Sequence, residues 1–366
     1  MENRIVVSNL LHRPIRTAVS VLAVAIEVGM VMLVVGLTSG LVNETAKRVK
    51  GVGADLLVQP PNSSFVMAFG SAPMPIKIGD HLSQIAHVLA VSPVLVQVNM
   101  MGGINNVYGV DMSSFDRVTG GFVYHSGGSL QAPNDILVDD VYARANKSKV
   151  GEKLMIFDHE FNVAGIVEHG KGARLFIPLT TLQDLMGAHN MASVFFVKCI
   201  DPGYTDDVED AIQQMLPKYK VLSIAQYMSL FTSNNLPGLT AFITALISIA
   251  VAIGFLVIFL SMYTTITERT REIGVLKSLG ASKAYIIEGI LRESTILCLI
   301  GIVAGYGGTL VATRVIHTTF PTLSVELTLQ WAFYAGILAL AGSLLGAFYP
   351  ALRAASLDPV DALAYE

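Results

Sequence analysis

Two long stretches of this chain carry no charged side chain. Residues 238–267 are free of Asp, Glu, Lys and Arg, and so are residues 294–313. About 20 apolar residues in a helix span the hydrocarbon of a bilayer. Between them lies a short charged segment, residues 268–282, ERTREIGVLKSLGAS. It must lie in water at the end of a helical hairpin. Arg269, Arg271, Lys277 and Lys283 predict that this water is cytoplasmic, because short cytoplasmic loops are rich in Lys and Arg. Ile273, Leu276 and Leu279 recur every third residue and are expected to form one apolar face. Gly280 suits a helix stop and Ser282 a cap for the helix that follows. Such a helix could press into a groove on a soluble partner. It could equally be a solvated connection between two spans.

Composition agrees with a membrane protein. The chain has 366 residues, of which 52% are hydrophobic and 14% charged. Soluble domains carry about 25% charged residues. The net charge of −4 with no basic face argues against nucleic acid as a partner. Cys199 lies in a mixed polar region and Cys298 in an apolar run, so a disulfide framework is excluded.

In chain order, residues 1–16 form a short basic segment with Arg4, Arg13 and Arg16, predicted to be cytoplasmic. Residues 17–42 read as the first span. Its one charge, Glu27, falls roughly 16 Å into the membrane at 1.5 Å per residue. Two roles are open for Glu27: a neutral acid that hydrogen-bonds another helix or a dimer mate, or a working residue in a water-filled cleft. Residues 43–236 change character, with Gly, Pro and Asp throughout. Strand-like runs are expected at 55–58, 94–98, 106–110, 136–138, 153–157, 161–168, 174–177, 193–199 and 220–223, and helices at 140–146, 181–186 and 205–216. This predicts a mixed α/β domain outside the cytoplasm. A long loop at 59–75 carries Phe65, Met67 and Phe69, which either contact cargo or an adaptor or fold back on the domain. His159 and His169 lack ligand spacing, so no metal site is expected.

Three further spans are predicted at 238–267, 286–313 and 327–349, with 350–366 as a cytoplasmic tail. Small-residue pairs at Gly301/Gly305, Ala304/Gly308 and Gly342/Gly346 suit close helix packing. The fold class is thus an α-helical membrane domain of four transmembrane helices plus a mixed α/β extracytoplasmic domain. No glycine-rich phosphate loop, GxSxG, HExxH or CxxC occurs, so catalysis by this chain is not expected.

One span, a large outer domain and three more spans, with ERTREIGVLKSLGAS between the second and third, resembles the FtsX/MacB-type permeases of ABC transporters. Residues 136–186 are similar to the outer core domain of these permeases, and the ending YPALRAASLDPVDALAYE to their C-terminal segment. The resemblance implies a homodimer in the bacterial inner membrane with both termini inside. It implies a partner ATPase that binds ATP and Mg, with no cofactor on this chain, and a periplasmic adaptor as a possible partner besides membrane lipid. The ATPase is expected to be a separate chain, because residues 1–16 leave no room for one. ATPase closure would pass through residues 268–282 to the spans and the outer domain. Glu268, Arg269, Arg271, Glu272, Ile273, Leu276, Lys277, Leu279, Gly280 and Ser282 then form the coupling segment. The implied function is export or extraction of a hydrophobic or amphipathic substrate by mechanotransmission. The alternatives are a signalling permease that activates a cell-wall hydrolase, and lipoprotein extraction.

Overall fold

The computed structural model describes residues 14–61, 63, 73–100, 105–230 and 239–358. The loop residues Phe65, Met67 and Phe69 lie outside the described residues, as does the tail from 359. The chain divides into two compact units: Met1–Ser39, Gly238–Thr318 and Val325–Glu366 in one, Gly40–Pro237 and Thr319–Ser324 in the other.

The first long helix, α1 (Pro14–Lys50), begins in the first unit, and its last turns belong to the second. From Asn43 the helix goes on with Ala46 and Val49 buried, and Lys47, Arg48 and Lys50 suit its negative C-terminal pole. After it come β1 (Leu56–Gln59), β2 (Met74–Pro75), α2 (Ile78–Leu82), β3 (Val88–Asn99), β4 (Asn105–Val110), α3 (Met112–Thr119), β5 (Tyr124–Gly127), β6 (Asp135–Asp139) and α4 (Asp140–Asn146). Then follow β7 (Lys153–Ile156), β8 (His159–Val167), β9 (Leu175–Pro178), α5 (Leu179–Leu185), β10 (Met191–Ala192), β11 (Val194–Cys199), α6 (Thr205–Met215), β12 (Lys220–Ser223) and α7 (Ile224–Leu230). Ten of these strands make one sheet in the order β12-β1-β11-β3-β4-β9-β6-β8-β5, with β7 on β8. The pairs β4–β9 and β6–β8 are parallel and the others antiparallel. Along β8 burial alternates, with Phe161, Val163 and Val167 inward. Two cores line the sheet. One gathers Ile136, Val138, Phe161, Leu175 and Leu182; the other gathers Leu56, Val58, Phe195, Val208 and Ile212. The mixed α/β domain is the fold expected.

In the first unit, α8 (Leu239–Glu268), α9 (Thr270–Ser278), α10 (Lys283–Thr319) and α11 (Leu329–Ser356) join α1. Four of these helices are long and apolar enough to cross a membrane. Their core holds Val24 and Val28 of α1, Ile258 and Met262 of α8, Leu297 and Cys298 of α10, and Ala335, Ala339 and Ala347 of α11. Two hydroxyl pairs join helices inside it, Ser20 with Ser261 at 2.6 Å and Ser294 with Ser343 at 2.8 Å. Cys199 and Cys298 are buried and unpaired, in separate units.

The small-residue pairs are not equivalent. A Cβ on Gly301 would lie 2.6 Å from Val24 Cβ, and one on Gly305 would lie 2.9 Å from the Ala25 carbonyl. Gly346 likewise faces the Phe255 carbonyl of α8 at 2.8 Å. Gly308 meets nothing within 4 Å. Overpacking a tight core costs about 1–3 kcal/mol. Gly301→Val is therefore expected to lower the thermal midpoint of the detergent-purified protein by about 5 °C, with Gly308→Val unchanged as a control. Equal melting of the two variants would refute this packing.

Candidate functional site

The charged segment begins where α8 stops. Arg269, with φ −112° and ψ 16°, interrupts the helix, and α9 restarts at Thr270. Glu272 in the first turn of α9 and Lys277 in the last both suit the helix dipole. The helix ends at Gly280, whose φ of +95° favours glycine. Ala281 N–H donates to the Leu276 carbonyl at 3.0 Å and closes the turn. The Ser282 hydroxyl accepts from Tyr285 N–H at 3.2 Å and starts α10, as the sequence predicts.

α9 has two faces. Thr270, Ile273 and Gly274 are buried, and Lys277 is half-buried; these positions follow the i, i+3, i+4, i+7 rule for one helix face. Ile273 packs with Ile266, Ile286, Ala354 and Ala355. Lys277 Nζ donates to the Ala355 carbonyl at 3.0 Å and also to the Leu357 carbonyl, so it caps the end of α11. Arg271, Glu272, Val275, Leu276 and Leu279 are exposed. This corrects the single apolar face expected for Ile273, Leu276 and Leu279. Each three-residue step turns about 300°, so the stripe drifts around the helix. Ile273 is buried in the hairpin, Leu276 is exposed in the lining of a cavity that Ile273 shares, and Leu279 stays outside.

The polar residues also divide. Arg269 turns back, bonding Glu272 at 2.8 Å and Glu293 at 3.5 Å. Arg16 lies 3.4 Å from Glu268 and 3.8 Å from Glu293. Two arginines from separate helical segments thus flank the buried Glu293. Sequence reasoning missed Glu293, which adjoins the uncharged run 294–313; a carboxylate at the edge of a span was the available signal. It also missed Val275 and Tyr285, both exposed. A cavity of about 160 Å³ opens beside α9, with Met262, Ile266, Leu276, Tyr285, Ile290 and Arg292 in its lining. Apolar walls under a charged rim can receive an apolar anchor and hold it in register.

Glu27 lies elsewhere in the first unit. It is 5% exposed, and its Oε1 has no hydrogen-bond partner. Its carboxylate sits against Gly254 of α8, where any Cβ would collide with it, and near Gly342 of α11. His169 bonds Asp140 at 2.9 Å and His159 bonds Asn134 at 3.0 Å, both on the surface of the second unit.

The FtsX-like permease C-terminal family matches residues 244–359, and the MacB-like periplasmic core domain matches residues 17–215. The first match covers α9 and most of its flanking helices, and the second covers most of α1 and every strand of the sheet but β12. The chain belongs to the MacB/FtsX family of ABC transporter permeases. The MacB/FtsX-type chain is 25% identical to the macrolide export ATP-binding/permease protein MacB of Sodalis glossinidius, across 97% of its own length and 59% of the relative's. It therefore spans about three fifths of that MacB relative. It is 22% identical to the uncharacterized ABC transporter permease YknZ of Bacillus subtilis, across 100% of its own length and 99% of that protein. The solved periplasmic region of MacB from Actinobacillus actinomycetemcomitans aligns with 52% of this permease and 97% of that chain, at 15% identity and a TM-score of 0.40.

Proposed function

We propose that this multi-pass permease couples ATP hydrolysis by a separate ATPase to export or extraction of a hydrophobic or amphipathic substrate. The work is mechanotransmission, with the motion entering at α9. The outward face of α9 carries this reading: Leu276 and Leu279, 43% and 80% exposed, stand beside Arg271 and Glu272 between two apolar helices. An exposed mixed surface of this kind has the makeup of an interface anchor with a charged rim. Both termini and α9 face the cytoplasm in this reading, the sheet domain faces outward, and the permease works as a homodimer. A periplasmic adaptor could take the substrate onward. The export function in the name of the Sodalis relative supports transport.

The test is assembly. A tagged permease purified from native membranes is expected to bring down an ABC ATPase, and ATP turnover is expected to rise when the two are combined in nanodiscs. A permease that recovers no ATPase, or recovers a cell-wall hydrolase with no substrate movement, would contradict the proposal.

A further inference from the structure

Arg174 is 4% exposed, immediately before β9. An arginine cannot shed its charge in a protein, so a buried one must be met by acceptors. Arg174 has three, from three separate segments of the second unit. Nη1 donates to Asp139 Oδ2 at 3.3 Å. Nη2 donates to the Glu44 carboxylate and to the Thr322 carbonyl, the latter at 3.3 Å.

Each acceptor has a distinct place. Asp139 ends β6, and its side chain is 1% exposed. Its Oδ1 accepts from Tyr142 N–H at 2.6 Å and caps α4, while its own N–H donates to the Arg174 carbonyl at 2.8 Å. This part of the sheet is therefore fixed to the arginine by side chain and backbone together. Glu44 lies on α1, and Arg48, one turn later, approaches the same carboxylate at 3.9 Å. Thr322 lies in the connection between α10 and α11. One guanidinium thus holds the sheet, the C-terminal end of α1 and the α10–α11 connection. The last two continue directly into helices of membrane-spanning length.

We propose that Arg174 is a positioning residue that clamps α1 and the α10–α11 connection to the sheet domain, so that helix movement becomes movement of the domain. This rests on the coupling described under Proposed function. Stability alone gives little reason for such a device, since buried ion pairs replaced by apolar groups are often neutral or stabilising. A planar fork with fixed directions instead supplies defined geometry. A lysine, with a single point charge, cannot reproduce it.

The experiment uses the full permease with its ATPase in nanodiscs. One copy carries spin labels at cysteines replacing Lys149 and Leu329, both exposed. The interlabel distance is read without nucleotide and after trapping with ATP, Mg and vanadate. In Glu44→Ala and Arg174→Lys the expected result is a complex that is still folded, melts lower and keeps its ATP turnover, with loss of the nucleotide-dependent distance change. Glu44 is part exposed, so its variant guards against simple unfolding at Arg174. A full distance change in Glu44→Ala would overturn the clamp and leave the coupling reading intact. Unfolding of the domain in Glu44→Ala would also overturn it, assigning the cluster to stability. A native complex with no distance change would overturn the coupling reading and the clamp with it.

Discussion

Glu272→Ala combined with Leu276→Asp is expected to abolish permease-stimulated ATP turnover while the permease still folds and inserts. Both side chains are exposed, and both line the cavity beside α9. The Glu272 side chain is 65% exposed, and its pair with Arg269 is a surface contact between residues three apart. Such pairs contribute about 0–1 kcal/mol, so losing this one barely touches the fold. Leu276 is 43% exposed at the mouth of the cavity. Burying a leucine against a partner gains about 1.5–3 kcal/mol, and an aspartate there would forfeit it and require a charge to be desolvated. Together the changes are expected to weaken assembly by about 4 kcal/mol, or ~10³-fold. Turnover of the reconstituted complex, with circular dichroism as the folding control, measures this. Normal stimulated turnover in the double variant would remove α9 from the interface. Ile273→Ser would not serve, because Ile273 is part of the hairpin's own core.

Gly254→Leu is expected to cost most of the folded permease, and Glu27→Ala in the same chain is expected to restore much of it. The Glu27 carboxylate occupies the space that any side chain at 254 would need. Packing is dense in such cores, so the clash cannot be absorbed cheaply. Two residues sharing one space should show a coupling of about 1–3 kcal/mol in a double-mutant cycle of thermal unfolding. Additive effects would show that the two positions do not compete. Glu27 is buried within its own helices rather than turned outward toward a second copy. Glu27→Gln keeps the shape and is expected to preserve assembly and turnover. Loss of export with assembly intact would make Glu27 a working residue of the cycle.

The parts legible in the sequence were those dictated by solvent. A bilayer demands long apolar runs with few or no charges, so the helices around Val24, Ile258 and Leu297 announce themselves. The run 161–168 reads as a strand, and it forms most of β8. The first half of β3 was missed because Ser92 and Pro93 interrupt it, although Pro93 sits in the ladder opposite Phe195. Helix α3 was missed despite its signals: Asp111 caps it by accepting from Ser114 N–H at 3.0 Å, and Gly120 stops it with φ +74°. The faces of α9 were misassigned because two successive three-residue steps carry Leu279 about 120° around the helix from Ile273. Arg174 could not be found at all. Its acceptors Asp139, Glu44 and Thr322 lie 35, 130 and 148 residues away in sequence, and no local pattern encodes their meeting.

The central claim is that the outward face of α9 touches an ATPase. The most direct test places a photo-crosslinking amino acid at Leu279, the most exposed apolar residue of that turn, in living cells. A second strain carries it at Lys149 on the sheet domain. The account predicts that irradiation yields an adduct between position 279 and an ABC ATPase, and none between position 149 and that ATPase. An adduct of position 279 with lipid or periplasmic protein alone would contradict it.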